Sequence, residues 1–171
     1  MSANRGRVAM CPGSYDPVTN GHLDIIERAA KVFDVVVVAV VQQPPRKPET
    51  LFTAEERRSF VLQATQKLAN VEVQVFDTLL VDFAQQQGAV ALVKGLRAIS
   101  DFEYEFEMNQ LNRTLAPDIE SVYLMASPQY SFLSSSGVKE LATFGANVEE
   151  LVPADVAQAL RSRLGEGKSS R

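Results

Sequence analysis

Residues 35 to 41 read VVVVAVV, and no other stretch restricts the fold as tightly. Valine is stiff at its first torsion and favours extended backbone. A run with no polar alternation has no face to give to water, so it belongs in a strand covered on both sides, the usual situation in a parallel sheet. The preceding residues supply the cover: Leu23, Ile26, Ala30 and Phe33 recur at three and four residues and share one helical face. Before them, Val8 to Cys11 is a short apolar strand. Strand, helix, strand follows, with parallel pairing as the simplest arrangement.

The alternation continues along the chain. A polar, proline-rich loop, QQPPRKPETL at 42–51, leaves the valine run. Thr53 with Glu56 forms a capping-box pattern, and Phe60, Ala64 and Leu68 continue the helix it opens. VEVQVF (71–76) alternates with period two, residues 80–87 form a short helix, and AVALV (89–93) is another buried strand. Residues 101–115 are helical, SVYLM (121–125) is a fifth strand, and 127–142 enters a helix through Ser134, Ser135 and Ser136. Pro153 opens a last amphipathic helix carrying Val156, Leu160 and Leu164. The expected fold is α/β: a Rossmann-like, doubly wound, five-stranded parallel sheet flanked by helices, in one domain over 1–171 with short flexible ends at about 1–6 and 165–171. Ligands of such a sheet collect at the C-terminal ends of its strands.

Composition bounds the function classes. A chain 46% hydrophobic and 22% charged is that of a globular protein, and no apolar run approaches the roughly 20 residues of a membrane span. Nothing at the N-terminus has signal-peptide character. The single cysteine, Cys11, has no internal disulfide partner and lies in an apolar strand, which suits a buried structural thiol in a reducing, cytoplasmic setting. A formal charge of −4 argues only weakly against nucleic acid, since a basic patch survives an acidic average.

The residues with chemistry fall at strand ends. Ser14 and the only histidine, His22, follow strand one; Arg46 and Lys47 follow strand two; Lys94 and Arg97 follow strand four; the three serines follow strand five. In a parallel sheet all face one rim, giving it cations, hydroxyls and helix N-termini. That combination suits phosphate. Singly, each group has a plain structural use: a helix-cap histidine, solvated loop charges, capping serines. Together, at successive strand ends, they favour function. GxxxxGK[ST] and GxGxxG are both missing, which argues against a P-loop ATPase and a dinucleotide-binding domain. One histidine and one cysteine do not make a zinc site of the usual composition, although carboxylate sites stay open.

PGSYDPVTNGH (12–22) resembles the first motif of the nucleotidyltransferases with a (T/H)xGH signature, here TNGH. Together with VKGLRAISDFEYEFEMNQLN (93–112) and YSFLSSSGVKE (130–140), it makes the chain closely similar, over about 7–164, to the bacterial phosphopantetheine adenylyltransferase family. The resemblance implies that His22 contacts the ATP phosphates and stabilises the transition state, with Ser14 at the reacting phosphate. Arg46 stands where the family usually has lysine, and the neighbouring Lys47 is the alternative bearer of that role. Ser14 and Tyr15 replace the commoner Thr and Phe, keeping a hydroxyl and a ring. Lys94, Gly95, Arg97 and Glu105 are implied at the nucleotide. So are Tyr130, Ser131, Phe132, Leu133, Ser134, Ser135 and Ser136. Leu79, Leu80, Asn112 and Glu140 match positions along the pantetheine arm. Pro45, Glu49 and Thr50 make the loop after strand two less typical of the family in composition.

The implied reaction is ATP plus 4'-phosphopantetheine giving dephospho-coenzyme A and pyrophosphate, the penultimate step of coenzyme A biosynthesis. Its implied companions are Mg2+ with ATP, coenzyme A as a feedback inhibitor, and a hexameric homo-oligomer. Two other readings remain: a related transferase acting on another phosphorylated acceptor, such as nicotinamide mononucleotide or a phosphocholine-like compound, and an RNA-binding module. The chain has no basic tail and no interleaved aromatic and basic residues for the latter. Neither nucleic acid nor a membrane is an expected partner.

Overall fold

A computed structural model describes residues 6–45 and 49–165. Its elements are β1 (Val8–Gly13), α1 (Asn20–Val32), β2 (Val35–Val41), α2 (Ala54–Ala64), β3 (Val71–Phe76), α3 (Leu80–Gln86), β4 (Ala89–Leu96), α4 (Ile99–Leu115), β5 (Glu120–Met125), α5 (Ser135–Thr143) and α6 (Ala154–Leu164). The five strands form one parallel sheet in the order β3-β2-β1-β4-β5. The chain winds outward from β1 to β3, then returns to the other side of β1. That reversal leaves a crevice beyond the C-terminal ends of β1 and β4.

The valine run explains why the sheet has two cores. Side chains alternate across a strand, so Val36, Val38 and Val40 enter one layer while Val37 and Ala39 enter the other, and all five are inaccessible to solvent. The first layer adds Ile26 and Ala29 of α1, Val61 of α2, Val138 of α5 and Val156 and Leu160 of α6. The second is built on Val8, Met10 and Leu92, closed by Val81, Phe83 and Ala84 of α3. No helix among the described residues is long and apolar enough to cross a membrane.

Two boundaries that bear on the site differ from the sequence reading. Helix α2 stops at Ala64 because the amides after Thr65 change to three-residue bonds, Gln66 to the Gln63 carbonyl at 3.5 Å and Leu68 to the Thr65 carbonyl at 2.9 Å, leaving Leu68 in a turn beyond the helix. Strand β4 continues to Leu96, since β5 pairs with it through Lys94↔Tyr123 and Leu96↔Met125; Lys94 and Gly95 therefore lie within the strand rather than after it. The segment at 127–142 enters its helix through the serines as expected: Pro128–Tyr130 forms a short 3-10 turn, and α5 starts at Ser135, with the Ser134 hydroxyl accepting from the Gly137 amide at 3.0 Å. The expectation of flexible chain ends falls, apart from Gly6 and Gly165, outside the described residues.

Candidate active site

At the crevice lies a cleft of about 1020 Å³. Ser14 and Tyr15 come to it from the turn after β1, His22 from the first turn of α1, and Leu80 from the start of α3. Lys94, Gly95 and Arg97 arrive from β4 and its exit, Glu105 from α4, and Tyr130, Leu133, Ser134, Ser135 and Ser136 from the segment that enters α5. Leu79, Asn112, Ser131, Phe132 and Glu140 are not in its wall. Phe132 is 73% exposed and Leu79 52% exposed, so both face solvent in the isolated chain. Arg46 and Lys47 lie outside the described residues.

His22 owes its orientation to local helix chemistry. Thr19 is the N-cap of α1, and its side-chain oxygen accepts from the His22 amide at 3.4 Å, while His22 Nδ1 accepts from the Thr19 amide at 3.0 Å. This is a capping box in which imidazole takes the place usually held by Glu or Gln. An amide N–H only donates, so Nδ1 carries no proton. The proton of the neutral ring therefore sits on Nε2. Burial, then the charge of Arg97, lowers the His22 pKa from 6.5 to about 4. The Tyr15 ring meets the imidazole edge-on at a centroid distance of 5.1 Å. The cleft thus contains a neutral imidazole fixed as one tautomer.

The turn that carries Ser14 is held by its neighbours. Tyr15 has φ of 50°, an uncommon backbone for a bulky residue, and its buried hydroxyl donates to the Cys11 carbonyl at 2.9 Å. Gly13 permits this fold-back: a Cβ there would stand 2.9 Å from the Tyr15 ring. Gly95 has a similar need, since its Cβ would lie 2.8 Å from Ile25. Gly21 does not, as an added Cβ would meet only ordinary contacts of 3.5 Å or more. Ser135 Oγ donates to the Pro17 carbonyl at 2.8 Å, tying the same turn to α5. Burial pushes the Cys11 thiol up to about 12, which suits the structural role expected of it.

Every lysine and arginine among the described residues of the cleft wall has a carboxylate partner. Lys94 Nζ lies 2.6 Å from Glu105, Arg97 pairs with Asp101 at 3.1 Å, and Lys139 reaches Asp16 at 2.7 Å. Arg97 also donates to the Leu133 carbonyl at 2.8 Å. Each of these cations is therefore balanced by a carboxylate: Asp101 stands only four residues from Arg97, whereas Glu105 and Asp16 are brought beside Lys94 and Lys139 by the fold. Sequence reasoning had not singled out Asp16, Asp101, Tyr104, Met108 or Lys139 as cleft residues. Asp16 and Lys139 sit inside the quoted motifs, and Tyr104, Glu105 and Met108 have the three- and four-residue spacing of one face of α4.

Comparison with known proteins bears on this geometry. The profile of the cytidylyltransferase-like family matches residues 10–141. A phosphopantetheine adenylyltransferase of Desulforudis audaxviator is 52% identical over 159 residues, covering 93% of this chain and 96% of the relative. One of Rubrobacter xylanophilus is 53% identical over 154 residues, covering 90% and 93%. The chain belongs to the phosphopantetheine adenylyltransferase family. This family member also shares its fold with a solved Vibrio parahaemolyticus structure described as a nicotinate-nucleotide adenylyltransferase, with a TM-score of 0.67, 14% identity and 91% of each chain covered. Similarity at that identity concerns the fold alone.

Proposed function

We propose that the chain transfers the adenylyl group of ATP to 4'-phosphopantetheine, forming dephospho-coenzyme A and releasing pyrophosphate. Its relatives carry the name of that activity across nearly their whole length. The observation that carries the chemistry is the His22 tautomer. With Nδ1 occupied by the Thr19 amide, Nε2–H is the donor left for the cleft.

The reaction needs no base. A phosphate oxygen of the acceptor attacks the α-phosphorus of ATP, the bond from that phosphorus to the pyrophosphate oxygen breaks, and pyrophosphate leaves with the electron pair. The second pKa of a phosphate monoester, near 6, leaves the nucleophile largely ionised at neutral pH. What remains is to align two mutually repelling anions and stabilise charge on the α-phosphoryl oxygens. His22 Nε2–H serves that charge, with Ser14 beside it. Lys94 and Arg97 hold nucleotide phosphates by exchanging part of their bonding to Glu105 and Asp101 for phosphate oxygens. Mg2+ enters with ATP as part of the substrate. The cleft carboxylates are already engaged, Asp16 with Lys139 and two amides, Glu105 with Lys94, and Asp101 with Arg97. Leu80, Tyr104 and Met108 supply aliphatic and aromatic wall for the acceptor arm, and Arg46 or Lys47 a further phosphate contact.

Assembly and regulation follow the same reading. Phe102, Phe106, Leu111 and Leu115 of α4 and Met125 of β5 are each at least half exposed. Apolar exposure on one helix and an edge strand supports a homo-oligomer, the hexamer implied by the family, in a cytoplasmic enzyme. Sedimentation showing only an 18.8 kDa species at assay concentration would remove the oligomer. Coenzyme A, which combines both substrate parts, competes with them for the cleft; absence of measurable binding would remove that role. The decisive assay is ATP-dependent pyrophosphate release with 4'-phosphopantetheine, nicotinamide mononucleotide and phosphocholine in parallel. Release confined to the first supports the function; release only with another acceptor, or salt-sensitive RNA retention without release, overturns it.

A further inference from the structure

Arg57, on the first turns of α2, is completely buried, and it is the largest side chain among those with essentially no exposure. Its bonds all go to main-chain carbonyls: Nε donates to Phe52 at 3.1 Å, Nη1 to Ser14 at 2.7 Å and to Val41 at 2.8 Å, and Nη2 to Gln42 at 2.8 Å. Four of the five guanidinium donors are thereby used. The acceptors mark three places. Val41 ends β2 and Gln42 follows it, Phe52 precedes the N-cap of α2, and Ser14 lies in the turn after β1.

Between Gln42 and Phe52 runs the loop that contributes Pro44, Pro45 and Thr50 to the cleft. One planar group therefore grips both ends of that loop and fastens them to the Ser14 turn. Asp16 reinforces the clamp from the other side, accepting from the amides of Leu51 and Phe52 at 3.0 Å each. Burying a guanidinium without a directly bonded carboxylate is costly. A hydrophobic side chain would fill the space without that cost, but it would leave four carbonyls without their donor and the loop ends unjoined.

We propose that Arg57 is a positioning residue of the transfer reaction: by holding the carbonyls of Ser14, Val41, Gln42 and Phe52 on one guanidinium, it sets the spacing between the Ser14 turn and the two ends of the loop that follows β2. The assignment rests on the adenylyl-transfer reading, in which two phosphates meet between these segments. Arg57 touches no substrate. It acts through the backbone it spaces, so its loss disturbs alignment at the reacting centre more than ground-state affinity for ATP.

The test is Arg57→Lys in the full-length protein, with kcat, calorimetric ATP affinity and thermal unfolding measured on one preparation. Lysine keeps the charge but has a single nitrogen without the fork, so it cannot span four carbonyls. The expected result is a kcat lower by about 10- to 100-fold, the scale of a small misplacement, with ATP affinity within about threefold of wild type. Val156→Ala, in the α6 side of the core, serves as a control for lost stability; its Tm falls while kcat of the folded protein stays near wild type. If Arg57→Lys does not fold, Arg57→Gln, which is neutral yet retains two N–H donors, is assayed with the same expectation. A folded variant that keeps more than half the wild-type kcat overturns the proposal. So does failure of both variants to fold, which would assign the guanidinium to the fold itself. Wild-type inactivity with phosphopantetheine counts against that acceptor only, and the Arg57 effect is then read with the acceptor the wild type uses; inactivity with every acceptor overturns both readings.

Discussion

The single histidine makes the site directly measurable. One His means one imidazole Cε1–H resonance, and its titration is expected near pH 4 rather than 6.5, because protonating Nδ1 requires breaking the bond from the Thr19 amide and charging a partly buried ring beside Arg97. The unfolded chain binds the proton more readily than the native one, so stability is intact above the unfolded pKa of 6.5 and declines as pH falls toward 4. Integrating the two titrations gives a loss of about 2 kcal/mol between pH 7 and pH 5. Urea unfolding at those two values measures it, with His22→Asn as the reference. The Asn side-chain oxygen stands close to the Nδ1 position and still accepts the Thr19 amide, preserving the cap while removing both the titration and the Nε2–H donor. The difference between wild type and His22→Asn is expected to shift by that amount across the interval. Turnover of the variant is expected to fall about 100-fold at pH 7, the order found for one missing transition-state donor, with ATP affinity affected less. A resonance midpoint at or above about 6, the titration range of an ordinary imidazole, would refute the reasoning, as would an Asn variant retaining more than half of wild-type kcat.

Further expectations concern the rest of the cleft wall. Lys94→Ala and Arg97→Ala should each weaken ATP binding by about 1.5–3 kcal/mol, the scale of hydrogen bonds to charged groups; Arg97→Ala should also lower Tm, since the Leu133 carbonyl loses its donor. Calorimetric ATP affinities equal to wild type in both would take these residues out of the site. Ser134→Ala removes the N-cap bond to the Gly137 amide and is expected to cost about 1 kcal/mol, seen as a Tm lower by about 2–4 °C. An unchanged melting curve would show that the cap contributes nothing. Cys11, buried and with its thiol pushed up to about 12, is expected to resist an aromatic disulfide reagent at pH 8 until the chain is unfolded; stoichiometric labelling of the native protein would contradict its placement in the sheet.

Much of this protein was legible in contiguous residues, because secondary structure is chosen over a few positions. The valine run could only be a covered strand, Thr53 with Glu56 marked the start of α2 within one residue, and β2 and β3 have the boundaries their patterns predict. The site was legible for a related reason. Parallel strands bring their exits to one rim, so Ser14, His22, Lys94, Arg97 and the serines that cap and open α5 could be placed together before any contact was known.

What the sequence left open depended on segments far apart in the chain. Strand order puts β1 between β2 and β4, and the crevice follows from that choice rather than from any local pattern. The extension of β4 through Lys94 came from pairing with β5, and the Lys139–Asp16 ion pair joins residues 123 apart. Arg57 illustrates the limit best. In EERRSF nothing local distinguishes it from the neighbouring Arg58, yet folding removes it from water and sets its donors on carbonyls as far as 43 residues away. Burial and Coulomb energy depend on distance in space, and only the packed chain defines that distance.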